Sequence, residues 1–285
     1  LPTHQMISDA ASKIQIHRIC HHRWFFGQAA IDWFNKYDAD HHLFVSDALM
    51  QELIRESGAL KASSRKVVYD GFTLPYVPVQ DDRLAARREL GLSEEKSIVL
   101  FAEEVVEQKG VADLIHAWHS LADKWREQAE LHIVGKAPVG EEAYRREMER
   151  LADGLGCPVS FHGYQRNVDQ WLIASDIVMV PSHGESLGNI TLEAMAQARP
   201  VIGGDAGRVS ETVVHNKTGY LVPPRKPESL AVALELLLES PRKRLQYGEA
   251  ARRRCEEMFS LETHTQAVLS EYDRVLSKSP MAVHS

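Results

Sequence analysis

Two glutamates, Glu185 and Glu193, frame the stretch of the chain whose residue types are best suited to chemistry. They follow an apolar run at 177–180 that is typical of a buried strand, and Glu193 lies in a segment with a helical pattern. Gly184 and Gly188 permit close approach of the backbone to a ligand, and a helix that begins near Gly188 presents unpaired N–H groups to an anion. Because carboxylates can accept hydrogen bonds from hydroxyls, the pattern favours a site for a phosphate surrounded by hydroxyl groups, as in a nucleotide sugar.

Each glutamate also has an ordinary interpretation. An acid at the start of a helix commonly complements the helix dipole, and an acid inside a helix is commonly solvated. A strand, a turn and a helix that carry acids recur in many folds. The choice between a ligand site and two surface acids therefore depends on the elements around them.

Short apolar runs alternate with longer helical segments through the middle of the chain, which predicts an α/β fold with a doubly wound parallel sheet. In such a sheet, ligands bind at the carboxyl ends of the strands, and Glu185 falls at such an end. The predicted strands span residues 66–69, 97–101, 131–134, 159–161, 177–180 and 200–202, and the predicted helices between them lie near 110–126, 140–154, 167–175, 189–198 and 208–215.

The pattern changes on both sides of this alternating region. Segment 69–78 is rich in turn residues and is predicted to be an interdomain linker. The remaining predicted elements are helices at 227–239, 241–259 and 261–276 after the sheet and, before it, a strand-like run at 14–20, an aromatic-rich helix at 25–37 and a short strand at 42–46.

Composition argues against several classes of function. The formal net charge of -7 argues against a nucleic-acid partner, because a phosphate backbone needs a concentrated basic surface. No run reaches the roughly 18 apolar residues of a membrane span, so peripheral membrane contact alone is left open. Cys20, Cys157 and Cys255 show no metal-ligand spacing and are typical of reduced thiols in a cytoplasmic protein.

The fourteen histidines do not predict a metal site. His17 and His21 lie four residues apart, with His22, His41 and His42 nearby. The segment is strand-like, and in a strand this spacing does not converge as it would on a helix. No acid lies between His17 and His21. We therefore expect no metal site at these histidines, and no other cofactor is predicted.

Further segments accompany the two glutamates in a fixed order: Glu193-Ala194-Met195-Ala196, Arg199-Pro200-Val201-Ile202, Ser210-Glu211-Thr212-Val213 and 218–224. With two acids separated by seven residues, the chain resembles the retaining, nucleotide-sugar-dependent glycosyltransferases of the GT-B fold, in particular their sucrose-synthase-like, group 1 branch. The resemblance covers residues 14–276.

The resemblance implies a domain organisation. Residues 73–259 would form the nucleotide-sugar donor domain, residues 1–72 a remnant of the amino-terminal acceptor-side domain, and residues 260–285 a helix that returns toward the amino-terminal part. Both domains of this family are Rossmann-like, and the amino-terminal one is normally a complete sheet. The chain is therefore expected to be a fragment or to need a partner chain that supplies the missing part.

The resemblance also implies a role for each site residue. Lys109 and Glu185 would be catalytic: Lys109 neutralises the departing diphosphate, and Glu185 binds hydroxyls of the donor sugar. Glu193 would bind the ribose hydroxyls. Backbone N–H groups at the start of the helix would hold the sugar and the diphosphate, and a loop would lie near the base; these two sets are Ser186, Leu187, Gly188 and Asn189, and Gly163, Tyr164, Gln165 and Arg166.

The implied reaction is sugar transfer with retention of the anomeric configuration, by same-face attack in which the leaving phosphate accepts the proton of the acceptor. No metal is required by this mechanism. In the amino-terminal part, His21 matches a histidine that the family places near the donor sugar, and His17 aligns nearly as well.

One departure from the family pattern concerns the diphosphate. The family usually has Gly-Arg before the lysine, and the matching positions here are Glu103 and Glu104. Carboxylates beside a diphosphate in a partly desolvated pocket repel it. Either the two glutamates turn away and another base such as Arg208 or Lys136 substitutes, or the protein binds its donor weakly or has a different ligand.

Two other classes of function compete with a cytoplasmic glycosyltransferase. One is a glycosyltransferase-like binding or regulatory subunit without catalysis, which Glu103 and Glu104 favour. The other is a nicotinamide-dependent oxidoreductase, which lacks the expected Gly-x-Gly-x-x-Gly turn here. For the glycosyltransferase, the expected partners are a nucleotide-sugar donor and an acceptor of carbohydrate, lipid or small-molecule type.

Overall fold

The computed structural model describes residues 17–23, 31–32, 39–56, 64–184 and 189–277. The chain divides into two compact units, unit 1 with residues 1–73 and 257–285, and unit 2 with residues 74–256. The sequence predicts divisions after residues 72 and 259, and the compact units divide after residues 73 and 256.

In chain order, the described strands are β1 (Ile19–His22), β2 (His41–Phe44), β3 (Arg65–Val67), β4 (Ser97–Ala102), β5 (Ala129–Val134), β6 (Val159–Gly163), β7 (Ile177–Val180), β8 (Val201–Gly204) and β9 (Gly219–Val222). The described helices are α1 (Asp47–Glu56), α2 (Gln80–Leu90), α3 (Val111–Ser120), α4 (Asp123–Gln128), α5 (Glu142–Gly154), α6 (Val168–Ala174), α7 (Asn189–Ala196), α8 (Gly207–Thr212), α9 (Pro227–Leu238), α10 (Pro241–Met258) and α11 (Leu261–Leu276).

Unit 2 is built on a six-stranded sheet in the order β6-β5-β4-β7-β8-β9. Every neighbouring pair is parallel, and helices connect most successive strands. The chain first builds outward from β4 through β5 to β6, then returns to the other side of β4 with β7. This doubly wound arrangement confirms the predicted α/β fold class.

The sheet is apolar because helices cover both of its faces. All four residues of β7 are buried, as expected for a parallel strand with no solvent-facing side. On one face, Val99 and Phe101 of β4 join a core with residues of α3, α5 and α9. Outside this core, α2 contacts α6, α6 contacts α7, and α7 also contacts β7.

The predicted helix near 110–126 is two helices rather than one. Its chain bends after α3 at Leu121, which is only 2% exposed and has an extended backbone. The guanidinium of Arg126, on α4, donates to the carbonyl oxygens of His119 and Leu121 and so satisfies the end of α3. Burial of Leu121 in the core, which no local pattern encodes, accounts for the break.

Unit 1 contains a parallel sheet in the order β1-β2-β3. The predicted strand at 14–20 begins later, at Ile19, and continues to His22, while residues 14–16 lie outside the described part. Most of the predicted helix at 25–37 also lies outside it. Helix α11 belongs to this unit, where the N–H of Leu261 donates to the carbonyl oxygen of Phe72 at 3.1 Å.

Three regular elements of the described chain were not predicted as such, namely α1, α2 and β9. Helix α2 begins with a carboxylate cap, since the N–H of Val79 donates to Oδ2 of Asp82 at 2.9 Å. It ends at Gly91, which has a φ of 68°. Within the described residues, no helix is both long and apolar enough to cross a membrane.

A buried charge network joins α2 to the amino ends of β4 and β7. Asp176 accepts hydrogen bonds from Arg83, from Arg87 at 2.6 Å and from the N–H of Ile98 at 2.7 Å. Burial acts to raise the pKa of Asp176, but Arg83 and then Arg87 outweigh it and bring the pKa below its ordinary value. Arg199, which is 6% exposed, adds a further positive charge nearby.

Asp176→Asn is expected to lower the free energy of unfolding by about 3–5 kcal/mol at pH 7, because it leaves buried guanidinium groups without a counter-charge. The depressed pKa means that the carboxylate stabilises the fold above its unfolded-state pKa of about 3.9 and loses this contribution as pH falls through the folded-state pKa. The difference between the two proteins should therefore shrink in acid. Urea unfolding at a series of pH values measures it.

The matched control is Asp153→Asn, since Asp153 is exposed on α5. Its effect should stay within about 0.5 kcal/mol. If Asp176→Asn is as mild as this control at pH 7, the network does not stabilise the sheet.

Candidate functional site

The carboxyl ends of β4 and β7 lie side by side, where the strand order of the unit 2 sheet reverses. In open parallel sheets, ligands bind in the crevice outside this point. The segment after β4 carries Glu103, Glu104 and Lys109, and the segment after β7 leads toward α7. The fold therefore brings Glu103, Glu104 and Lys109 to the same edge of the sheet as residues 181–184, the described residues that follow β7.

Lys109 ends a 3₁₀ turn, Glu107–Lys109, that packs against the end of β7. Gly110 follows with a φ of 72°, and a Cβ atom at this position would lie 2.2 Å from the carbonyl oxygen of Pro181. The N–H of His183 donates to the carbonyl oxygen of Gln108 at 2.9 Å. Because only glycine tolerates both the backbone angle and the close approach, Gly110 fixes the turn against the segment after β7.

Lys109 forms an ion pair with Glu103. Its Nζ lies 2.8 Å from Oε1 of Glu103, and the two side chains are 18% and 10% exposed, respectively. Oγ of Ser182, after β7, lies 3.5 Å from the other oxygen of the same carboxylate. Glu103 therefore does not turn away from Lys109, whereas the side chain of Glu104 is exposed. The positive charge that Lys109 can offer to an anion is partly neutralised by its neighbour.

Glu103 is held in place by the neighbouring strand. A Cβ atom on Gly135, which has a φ of 144°, would lie 1.8 Å from the carbonyl oxygen of Glu103. The N–H of Val105 donates to the carbonyl oxygen of Lys136 at 3.1 Å. The segments after β4 and β5 are thus packed backbone against backbone, and Glu103 cannot move far without its strand.

Glu193 lies in α7, where it is partly buried among residues that are nearly all buried. Burial raises its pKa above the ordinary value, and the nearby carboxylate of Asp169 raises it further. A carboxylate that is partly desolvated and faces another acid is poorly placed to serve as a structural cap. It is better suited to accept hydrogen bonds from neutral hydroxyl groups.

The loop predicted to lie near a nucleotide base follows β6 at the edge of the sheet. Gly163 turns the chain with a φ of 64°. Tyr164 is 67% exposed, and Nζ of Lys136 lies 5.5 Å from the centre of its ring. Gln165 donates to the carbonyl oxygen of His162 at 2.9 Å, and Arg166 is exposed. The loop therefore presents an aromatic ring and the cation of Arg166 at the carboxyl edge, and Lys136 of the segment after β5 adds a second cation beside the ring.

The two bases considered as substitutes for the family arginine differ in burial. Arg208 lies in the first turn of α8, after β8, and is 1% exposed. Lys136 is exposed and lies over Tyr164. Because β8 is the neighbour of β7 in the sheet, Arg208, which follows β8, also lies at the carboxyl edge.

Four predicted site residues, Glu185, Ser186, Leu187 and Gly188, lie outside the described residues. Asn189 begins α7 and is exposed. His21 lies in unit 1, where its Nε2 is 3.1 Å from the hydroxyl oxygen of Tyr272. Burial is the main cause that lowers the pKa of His21, followed by His264 and Arg23. For these residues, the assignments made from the sequence remain predictions.

A histidine–aspartate pair at the site was missed. Nε2 of His183, in the segment after β7, lies 2.6 Å from Oδ2 of Asp113 on α3, and both side chains are less than 20% exposed. Its Nδ1 is buried and has no hydrogen-bond partner among the described residues. The sequence contained a signal for this pair, because both residues lie beside motifs of the predicted site. His183 directly precedes the Gly184-Glu185 motif, and Asp113 follows Gly110 by three residues.

A profile of the family described as "Glycosyl transferases group 1" matches residues 82–254. The D-inositol 3-phosphate glycosyltransferase of Jonesia denitrificans is 28% identical over 250 residues, which cover 79% of this chain and 58% of that protein. The alpha-maltose-1-phosphate synthase of Mycolicibacterium smegmatis is 29% identical over 260 residues, which cover 83% and 64%. The chain thus spans less than two thirds of the length of these relatives.

Solved structures show the same fold. Anabaena HepE in complex with UDP superposes with a TM-score of 0.83 at 24% identity, covering 94% of this chain and 75% of that one. Sucrose-phosphate synthase from Thermosynechococcus elongatus has a TM-score of 0.77 at 24% identity, covering 95% and 72%. These likenesses confirm the Rossmann-like GT-B architecture that the sequence predicts.

Glu193→Gln is expected to raise the melting temperature of the ligand-free protein at pH 7. The raised folded-state pKa means that the ionised carboxylate costs stability at pH values above it, while below the unfolded-state pKa, about 4.3, no such cost exists. The gain should therefore disappear as pH falls to that value. Melting curves of both proteins at pH 7 and at about pH 4.3 measure the difference in melting temperature.

The control is Glu147→Gln, because Glu147 is exposed on α5. Its effect should stay within about 0.5 kcal/mol at either pH. A melting temperature that falls on Glu193→Gln at pH 7 would mean that Glu193 has a stabilising structural partner instead.

Proposed function

The chain belongs to the glycosyl transferases group 1 family, and from this premise we propose that it transfers a sugar from a nucleoside diphosphate sugar to an acceptor hydroxyl with retention of the anomeric configuration. The observation that carries the proposal is the position of Lys109 on a turn fixed by Gly110 against the end of β7. A lysine at the switch point of a parallel sheet is suited to an anionic ligand.

The donor would lie along the carboxyl edge of unit 2. Its diphosphate would contact Lys109 and the N–H groups at the start of α7, where the helix dipole favours negative charge. Glu193 would accept hydrogen bonds from the ribose hydroxyls, which matches its partly desolvated carboxylate. Tyr164 and its loop would lie near the base, and Glu185 would bind hydroxyls of the sugar. HepE and sucrose-phosphate synthase have this fold, and HepE has been crystallised with UDP.

The chemistry follows from where charge develops. As the bond between the anomeric carbon and the diphosphate oxygen breaks, negative charge builds on the leaving diphosphate. Lys109 would stabilise that charge more in the transition state than in the bound donor, which accelerates the step. The acceptor oxygen bonds to the anomeric carbon on the same face, and its proton passes to the leaving phosphate. The proposal assigns no metal or other cofactor to this transfer.

The ion pair with Glu103 sets the strength of donor binding in this proposal. For Lys109 to reach the diphosphate, it must exchange a carboxylate partner at 2.8 Å for a phosphate oxygen. The gain in binding free energy is therefore the difference between two ionic contacts, not the full energy of one new contact. We therefore expect weaker donor binding than at a site with an unpaired lysine and arginine.

The two glutamates Glu103 and Glu104 favour a second candidate function, a binding or regulatory subunit without catalysis. Glu103 and Glu104 stand where the family has glycine and arginine. If the diphosphate does not displace Glu103, the chain would keep the fold without the chemistry. Binding and turnover must therefore be measured separately.

Thermal shift with UDP, GDP and ADP, each also as its glucose conjugate, tests the proposal on the chain as it stands. One nucleoside series should raise the melting temperature, since a ligand that binds the native state stabilises it. Release of that nucleoside diphosphate from its glucose conjugate reports turnover. Lys109→Met should lower affinity by about tenfold, or roughly 1.4 kcal/mol. Binding without turnover would support the second function, and no shift with any nucleotide contradicts both.

Glu103→Gln is expected to tighten binding of the same nucleoside diphosphate by about tenfold, or roughly 1.4 kcal/mol, because it releases the charge of Lys109. Isothermal titration calorimetry at two salt concentrations measures the change. Glu107→Gln is the matched control, since Glu107 lies on the same turn but is 74% exposed. If both variants tighten binding equally, the effect is general charge and not the ion pair.

A further inference from the structure

The histidines of β1 and β2 lie on two opposite faces of the unit 1 sheet. Side chains alternate along a strand, and residues paired across parallel strands point to the same side. The register pairs Cys20 with His42 and His22 with Phe44. Cys20, His22 and His42 therefore share one face, whereas His21 lies on the other.

The second face has its own partners. His21 contacts Tyr272, and Nε2 of His41 lies 3.1 Å from a carboxylate oxygen of Glu271, both on α11. The guanidinium of Arg274 also contacts the His41 ring, at 2.9 Å from Nδ1. These contacts account for His21 and His41 as part of the packing of α11.

The first face brings three metal-ligating groups together. Nε2 of His22 lies 2.8 Å from Nδ1 of His42. A ligand atom from each of Cys20, His22 and His42 lies within 4.8 Å of the other two. Both histidines are 0% exposed, while Cys20 is partly exposed. Phe44 stacks on His22 with ring centres 4.5 Å apart and covers one side of the cluster.

We propose that Cys20, His22 and His42 bind a zinc ion that joins β1 to β2. A thiolate and two imidazoles are ligands that Zn²⁺ prefers, and three protein ligands leave the fourth tetrahedral position for water or another side chain. In a tetrahedral site, Zn–N distances of about 2.0–2.1 Å place two nitrogens about 3.3 Å apart, so the imidazoles need to separate by about 0.5 Å. Binding releases the proton of the Cys20 thiol to solvent as the S–Zn bond forms.

The contrasting explanation is that His22 and His42 simply share a hydrogen bond in a buried sheet. Unit 2 holds a natural comparison for it. Nδ1 of His132 lies 2.9 Å from Nε2 of His162, on the neighbouring strands β5 and β6. No cysteine belongs to a metal-ligating group with that pair among the described residues. A property of histidine pairs in general would appear at both sites, and a zinc site would depend on Cys20.

Cobalt is the probe for the test, because Co²⁺ replaces Zn²⁺ and reports its ligands by absorption. The full chain, stripped of metal with a chelator, should bind one equivalent of Co²⁺ with a thiolate charge-transfer band and the visible bands of a tetrahedral ion. Zn²⁺ should displace it and raise the melting temperature. Cys20→Ser should abolish the charge-transfer band and lower affinity for Zn²⁺ by at least about 100-fold, the upper end of what loss of a supporting group costs.

Two controls keep the result specific. Cys157→Ser and His162→Gln should each retain the band and the affinity, since neither residue lies on the unit 1 sheet. Circular dichroism without metal shows whether Cys20→Ser folds; if it does not, Cys20→Ala and His42→Gln replace it. The proposal is overturned if the wild-type protein shows no thiolate band, or if the band survives loss of Cys20.

Discussion

The close backbone packing at the carboxyl edge of the unit 2 sheet is the constraint on which the candidate site depends. Gly110 meets the carbonyl oxygen of Pro181, and Gly135 meets that of Glu103, at places where a Cβ atom would lie only 2.2 Å and 1.8 Å away. These contacts join the segments after β4, β5 and β7 into one wall. They fix the turn that carries Lys109 and the backbone that carries Glu103, so the charge pair at the site is set by the fold.

That pair gives the site an electrostatic character different from the one that the family motif predicts. Glu103 contacts Lys109 directly and is itself contacted by Ser182 from the segment after β7. In the proposed function, an incoming diphosphate would therefore compete with a carboxylate. The consequence that we expect is a modest net gain in binding free energy from Lys109. In the proposed function, the helix N–H groups and Glu193 would then contribute more to donor recognition than they would otherwise.

Much of the sheet could be predicted from the sequence, because parallel strands covered on both faces are apolar throughout. Strand β7 has the predicted bounds, and Lys109 follows β4 at the carboxyl edge of the sheet, the edge at which the sequence predicts ligand binding. The Glu103–Lys109 contact could not be predicted, since it depends on a short 3₁₀ turn between residues six apart. The break between α3 and α4 depends on burial of Leu121, which is a tertiary effect.

The histidine-rich segment shows a second limit of local pattern. The predicted strand ended at Cys20, whereas β1 continues to His22. Side chains alternate between the two faces of a strand. Because the predicted strand did not include His22, the prediction did not place Cys20 and His22 on the same face. The partner His42 is determined by strand register, which spacing along the chain does not encode.

The most direct test of this account is a crystal structure of the chain with the nucleoside diphosphate that stabilises it. The distance from Nζ of Lys109 to the nearest phosphate oxygen decides the central claim. We expect about 2.7–3.2 Å, with the ribose hydroxyls hydrogen-bonded to Glu193. A diphosphate bound elsewhere, with the Lys109–Glu103 pair unchanged, would contradict the assignment of the donor site.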